Sequence, residues 1–375
     1  MVMKHKKLEF GFPEVGVPFL WPFAFFVDLG QQTIEAARKS LECLREIEKT
    51  QFERKEPTWA SENRVILDLH TMRVRDFSGD KKGGIYTLVV APYAGHTSTI
   101  ADFSRGQSLV ETLMAHGVDR VCVTDWKSAT EETKYYDIDN YLSELNVCVD
   151  DLDGKVNLIG LCQGGWLSAM YASRFPRKVN TLVLAGAPID TDAGEGKIKE
   201  YAHTLPMEFF EELVAMGGGV LKGEFMLQGF KSLNPEKHYF EKFVELCEHI
   251  DDPAYVKRFE EFERWYEYTI DLPGKWYLQV VKELFKENRL VKGEFVGLGK
   301  KLSLKNIRCP VYLLAGERDD ITPPEQVFNA ELHLGTPKDK IVKDIARGGH
   351  IGLFMGTKPL RENWPKIARW IKDNS

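Results

Sequence analysis

Val156-Asn157-Leu158-Ile159-Gly160-Leu161-Cys162-Gln163-Gly164-Gly165-Trp166-Leu167 is an apolar run that stops at a glycine, followed by a thiol, two more glycines and an amphipathic segment. The run reads as a buried strand ending at Gly160, and the part after Gly165 as a helix. In a G-x-nucleophile-x-G arrangement the central residue sits on a sharp strand-to-helix turn, and the flanking glycines let the neighbouring elements approach. Here that residue is Cys162. Alone, such a stretch would more often be a core cysteine beside a tight turn, so the decision falls to the rest of the chain.

A nucleophilic thiol needs a base to take its proton and a third group to orient that base. The apolar run Val311 to Ala315 leads into Gly316-Glu317-Arg318-Asp319-Asp320-Ile321-Thr322-Pro323-Pro324, and the last strand candidate leads into Gly348-Gly349-His350-Ile351. Nucleophile, acid and histidine thus occur in the chain order of α/β-hydrolases, with acid and base on loops after late strands. Cys162, Asp319 and His350 are the expected catalytic residues. Asp319 takes the acid position of an acid-x-aliphatic-x-Pro turn, and Asp320 is the alternative one residue along. A tetrahedral intermediate also needs two donors for its oxyanion. The backbone N–H of Gln163 is the first. In Ala91-Pro92-Tyr93-Ala94-Gly95-His96 the second falls to Tyr93, because Pro92 has no N–H. His96 and Trp126 are the expected substrate-binding side chains, with Asp125-Trp126 equally readable as a structural turn.

The expected fold is α/β, an α/β-hydrolase fold with a mostly parallel sheet covered by helices on both faces. Strand candidates are Val65 to Leu69, Tyr86 to Ala91, Arg120 to Thr124, Val156 to Gly160, Thr181 to Ala185, Pro310 to Ala315 and Lys340 to Lys343, mostly alternating with helical segments. From about Ile189 to Lys301 no strand is expected. The helical, charged and aromatic stretches there read as a cap over the carboxyl edge of the sheet, where open α/β sheets bind ligands. The divisions are 1–60, an N-terminal aromatic and helical segment; 61–188 and 302–375, the two parts of the core; and 189–301, the helical insertion. The insertion aromatics Trp265, Tyr266, Tyr268, Trp276 and Tyr277 fit helix packing or an acyl channel.

The 375 residues carry a net charge of −6 and are 43% hydrophobic and 28% charged, enough for a large core. The acidic balance, without basic clusters interleaved with aromatics, argues against nucleic acid as a partner. The six cysteines show no C-x-x-C pair and no Cys/His ligand cluster, which fits a reducing cytoplasm, no structural metal and no cofactor. Pro18 to Val27 is too short to span a bilayer and too rich in proline and aromatics for a signal peptide. With the helical spacing of Ile34, Ala37, Leu41, Leu44 and Ile47 behind it, this region either packs on the body or docks on a hydrophobic particle. His5, His70, His116, His203, His238, His249 and His333 lack a partner motif and are expected to be structural.

Seven stretches carry a family resemblance: Leu88 to His96, Val123 to Trp126, Ala187 to Asp190, Asn234-Pro235, Arg258 to Tyr268 leading into Leu272 to Leu278, Gly316 to Ile321, and Gly349 to Gly356. In them the chain resembles the intracellular polyhydroxyalkanoate depolymerases, and more distantly the polyhydroxyalkanoate synthases. The resemblance implies a carboxylic ester hydrolase that cleaves hydroxyalkanoate polyester or oligomers through a thioester on Cys162, with a storage-granule surface as partner. The alternatives are a synthase, which loads Cys162 from a hydroxyacyl-CoA and passes the acyl group to a hydroxyl, and a non-catalytic granule-associated protein. One feature departs from the depolymerase pattern: proline follows Cys-Gln there, whereas here Gly164-Gly165 follows, as in the synthases. The insertion stretches favour the depolymerase.

Overall fold

The computed structural model describes residues 34–52, 54–81 and 83–375. His5 and the aromatic run 18–27 lie outside them. An eight-stranded sheet forms the centre: β1 (Arg64–Asp68), β2 (Met72–Asp76), β3 (Tyr86–Val90), β4 (Val121–Trp126), β5 (Val156–Leu161), β6 (Val179–Ala185), β7 (Val311–Gly316) and β8 (Ile341–Ala346). Their order across the sheet is 1-2-4-3-5-6-7-8, with β1 and β2 antiparallel at one edge and the remaining strands parallel. β5 and β7 are buried at every residue, as strands covered on both faces must be. This is the α/β-hydrolase fold.

β2 is absent from the sequence reading. Met-Arg-Val-Arg-Asp alternates apolar and charged side chains, and Arg75 pairs with Asp125 of β4 at 2.7 Å, so the strand shows none of the continuous apolar character that marks the inner ones. Helix α1 (Ile34–Phe52) precedes the sheet, and α2 (Leu109–Ala115), α3 (Ile138–Asp151) and α4 (Gln163–Arg174) pack on it. α3 begins with a reciprocal cap: the Asp137 side chain accepts from the Asn140 backbone, and the Asn140 side chain bonds the Asp137 backbone. Its buried face carries Ile138, Tyr141, Leu142, Leu145, Cys148 and Val149.

Between β6 and β7 come α5 (Lys197–Thr204), α6 (Met207–Met216), α7 (Gly223–Leu233), α8 (Lys242–Glu248), α9 (Pro253–Glu267) and α10 (Gly274–Gln279). This segment is not free of strand. Val220–Leu221 pairs with Leu272–Pro273, and Val296–Gly297 with Lys300–Lys301, each pair too short to leave a period-two pattern. α1 lies against these helices. Cys43 and Ile47 cluster with Leu246, and Cys43 forms a disulfide with Cys247, Cα to Cα 5.4 Å. The absence of local cysteine pairs in the sequence did not reveal this one, because its partners stand 204 residues apart, a separation that leaves no local spacing to read. The inward face of α1 differs in part from expectation: Ile47 is buried as expected, but Leu41 is exposed while Cys43 and Thr50 are buried.

Helix α4 touches the sheet so closely that its first turn has room only for glycine. A Cβ at Gly164 would lie 2.1 Å from the Val90 carbonyl oxygen and 2.8 Å from that of Ala91, and one at Gly165 would lie 2.2 Å from Cβ of Ala187. The proline of the depolymerase pattern is excluded at 164 by the same contact. Gly164→Ala is therefore expected to lower stability by about 3 kcal/mol or more, read as a shift of the denaturant midpoint; a midpoint within error of the parent would show that α4 can move away from β3.

Candidate active site

β5 ends at Leu161 and α4 begins at Gln163, leaving Cys162 alone on the turn at φ 50° and ψ −119°. The helix thus starts earlier than the sequence reading placed it. Positive φ is unfavourable for a residue with a Cβ and persists only where the surroundings impose it. Here the Cys162 N–H donates to the Ala185 carbonyl at 2.9 Å, and its carbonyl accepts from Gly165 N–H at 2.8 Å. A Cβ at Gly160 would come within 2.4 Å of Cα of Gly165. Strand and helix close on each other across the turn and push the thiol outward, 7% exposed, into a cavity of about 1220 Å³.

The two late loops meet the thiol there. Nδ1 of His350 lies 2.8 Å from Oδ2 of Asp319, and Oδ1 of Asp319 accepts from the backbone N–H groups of Ile321 at 3.0 Å and Thr322 at 2.8 Å. Asp319 is buried; Asp320 is exposed and lines the cavity without touching the imidazole through any described hydrogen bond. Burial opposes charge on His350 and is the largest influence on it. Asp319 and then Cys162 outweigh that burial, and the imidazole is held well above the usual histidine value. Nε2 of His350 is buried without a hydrogen-bond partner among the described residues, while Cys162 is near enough to help raise the pKa of the ring. The arrangement can take a proton from the thiol and hold the imidazolium that results.

Gln163 is the first residue of α4, so its N–H has no partner within the helix. Tyr93 is less simply placed. Its neighbours Pro92 and Ala94 line the cavity, but its ring is buried behind them and its hydroxyl donates to the carbonyls of Lys127 and Asp271 at 3.1 and 3.2 Å. His96 does line the cavity. It is stacked on Trp265 and Tyr266 with centroids 4.8 and 5.3 Å away, and Nε2 donates to the Tyr266 carbonyl. Burial pushes its pKa down to about 4, so it is neutral at pH 7. Trp126 is not among the residues that line the cavity. Its indole N–H donates to the Ala91 carbonyl at 2.8 Å and its ring packs on Tyr93 and Tyr141, which makes it a brace behind the loop rather than a wall of the cavity.

The insertion supplies most of the remaining wall, with Leu213, Phe225, Phe230, Phe262, Trp276 and Tyr277 among its apolar side chains. Trp265 and Tyr266 line it too; Tyr268 does not. His238, expected to be structural, reaches the cavity as well, stacked on Tyr266 at 5.4 Å and pushed down to about 4 by burial and the neighbouring lysines. It lies on a π-helical turn, Lys237–Glu241, whose phase no regular helical period predicts. The insertion also holds two buried ion pairs, Lys231 with Glu267 and Lys242 with Glu263, both at 2.6 Å. Among the described residues no cluster of His, Cys, Asp and Glu is arranged to hold a metal, and no helix is long and apolar enough to cross a membrane.

A cysteine on the turn after the fifth strand, with an aspartate and a histidine on the loops after β7 and β8, sits on an α/β-hydrolase fold. A monoacylglycerol lipase from Paleococcus ferrophilus shares the fold at a TM-score of 0.50 and 17% identity, covering 82% of this chain and all of that one. The family described as "Protein of unknown function (DUF3141)" matches residues 70–371, and the chain belongs to it. It is also related to the subunit PhaC of poly(3-hydroxyalkanoate) polymerase. The protein of that name from Haloferax mediterranei is 30% identical over 78% of this chain and 58% of its own length. That from a Synechocystis species is 30% identical over 77% of this chain and 76% of its own. The chain thus spans little more than half of the haloarchaeal relative. These matches overturn the depolymerase expectation, and with it the assignment as an ester hydrolase: the relatives are polymerase subunits. The insertion stretches that favoured the depolymerase did not discriminate the two, whereas Gly164-Gly165, read as synthase-like, agrees with this relationship.

Asp319→Asn removes the main influence that raises the His350 pKa, so the imidazolium is lost at lower pH and the thiol loses its charged partner. Alkylation of Cys162 by iodoacetamide at pH 7 is expected to slow by roughly tenfold or more, and by far less in Asp320→Asn. The reverse ranking would move the orienting role to Asp320.

Proposed function

We propose that this chain is a thiol acyltransferase of the polyhydroxyalkanoate synthase kind, with Cys162 carrying the acyl group, His350 moving protons and Asp319 orienting His350. One observation carries the reading: a buried thiol, imidazole and carboxylate meet at the floor of a large apolar cavity in a chain related to polymerase subunits. His350 takes the Cys162 proton as the sulfur attacks the carbonyl of a hydroxyacyl thioester. The tetrahedral oxyanion is met by the Gln163 N–H and, from the loop after β3, by the Tyr93 N–H. Collapse expels the thiol of the donor, protonated by His350, and leaves the acyl group on Cys162. The hydroxyl of a second acyl chain then gives its proton to His350 and attacks the thioester; an ester forms and the thiol returns.

The wall of the cavity supports transfer to a hydroxyl rather than to water. The cavity that Cys162 lines is walled largely by aromatic and aliphatic side chains, which favour a bound acyl chain whose hydroxyl can then compete with water. The acyl acceptor would be a hydroxyalkanoate oligomer, and the surface of its storage granule the partner.

Purified protein given 3-hydroxybutyryl-CoA is expected to release free coenzyme A and to accumulate ester-linked oligomers, and Cys162→Ala to do neither. Stoichiometric free hydroxy acid without oligomer would contradict the transfer reading, and activity retained in Cys162→Ala would contradict the nucleophile.

A further inference from the structure

Cys43 and Cys247 form a covalent tie that the chemistry at Cys162 does not use, while Cys122, Cys148 and Cys309 are free thiols like Cys162 itself. The tie fastens α1 to the insertion. It stands apart from the rest of the packing, since Cys43, Ile47 and Leu246 make a small apolar cluster of their own and no described side chain of α1 belongs to the main core.

That cluster reaches the cavity through the insertion helices. α1 lies against α8 and α9, with Phe243, Tyr255, Val256 and Phe259 packed around the cluster. Tyr255 and Phe259 also line the cavity, together with Lys242 and Glu245 of α8 and Phe262 of α9. This part of the wall is therefore backed by α1. Apart from the disulfide, the backing is slight: Arg38 and Lys39 meet Asp251, and Lys49 meets Glu260 at 2.8 Å, all partly exposed pairs that contribute little. Thr50 is buried but gives its hydroxyl to the Glu46 carbonyl of its own helix. Such contacts hold a 19-residue helix weakly against the freedom it would gain on leaving, whereas a disulfide across 204 residues removes that freedom.

We propose that the Cys43–Cys247 disulfide is a redox-sensitive strap on the cavity wall. Oxidised, it holds α1 against α8 and α9; reduced, it lets α1 leave, and the wall at Tyr255 and Phe259, without its backing, admits larger molecules. The reductant is a dithiol, either a small molecule or a protein. Cys43 is fully buried and Cys247 half-buried, so the first thiolate of the reductant attacks the Cys247 sulfur and Cys43 leaves. The second thiolate breaks the mixed disulfide and frees Cys247. Both cysteines end as thiols, having taken two electrons and two protons, and the reductant ends as a disulfide. The strap acts on access and is independent of the reaction that Cys162 carries out.

Alkylation tests it, read by mass spectrometry on the peptide that contains Cys162 so that the other thiols do not count. Oxidised protein, protein reduced with tris(2-carboxyethyl)phosphine and then freed of it, and the double variant Cys43→Ala/Cys247→Ala are each treated with iodoacetamide and with a bulky fluorescein maleimide. Reduction and the double variant are both expected to raise the rate of the bulky reagent by about fivefold or more and that of iodoacetamide by less than about twofold, with faster hydrogen exchange in 34–52. Should the double variant fail to fold, the reduced parent chain, which carries no substitution, decides. The same ratio of the two rates in oxidised and reduced protein, unchanged exchange in 34–52, or failure of Cys43 and Cys247 to pair in the oxidised protein would overturn the strap.

Discussion

Cys162 occupies a backbone conformation that costs an L-residue about 1–3 kcal/mol, and four elements combine to keep it there. β6 accepts its N–H through Ala185, the first turn of α4 returns a hydrogen bond to its carbonyl, and β3 presses on Gly164 through the carbonyls of Val90 and Ala91. Gly160 lets strand and helix converge across the turn. None of these contacts involves the sulfur. The turn is built by packing that leaves the thiol projecting into the cavity, so the chemistry is positioned by the same glycines that fix the sheet against its central helix.

Charge is organised around that thiol with equal economy. A carboxylate as deeply buried as Asp319 is tolerable only when its lone pairs are used, and two backbone donors and an imidazole use them. The imidazole in turn is buried, and the neighbours that favour its proton are the carboxylate on one side and the thiol on the other. An apolar wall around this array strengthens each interaction by keeping the local dielectric low. The insertion between β6 and β7 supplies that wall, and α1 is tied to it through the Cys43–Cys247 disulfide.

Much of this was legible in the sequence, for identifiable reasons. Continuous apolar strands cannot be mistaken for exposed segments, which is why the inner strands fall close to their expected positions while β2, half polar and lying between β1 and β4, escaped. The Cys162 turn, the Asp319 loop and the His350 loop were legible because each depends on local sequence: glycines at fixed spacing, an acid-x-aliphatic-x-Pro turn, and a histidine after the last strand. What could not be read depends on contacts between distant segments. Trp126 looked like a pocket residue until its indole was seen to brace Ala91, His238 became a cavity residue only through a π-helical turn, and Cys43 meets Cys247 across 204 residues. The direction of the chemistry was misread because the motifs shared by hydrolase and synthase describe the acyl-enzyme, not its fate.

The central claim is that the acyl group is carried on Cys162. Peptide mass spectrometry after brief mixing with a hydroxyacyl thioester and acid quench tests it most directly. The account predicts a single added hydroxyacyl group on the peptide that contains Cys162, removable by hydroxylamine as thioesters are. An adduct on Cys122, Cys148 or Cys309 instead, or turnover without any adduct on Cys162, would contradict it.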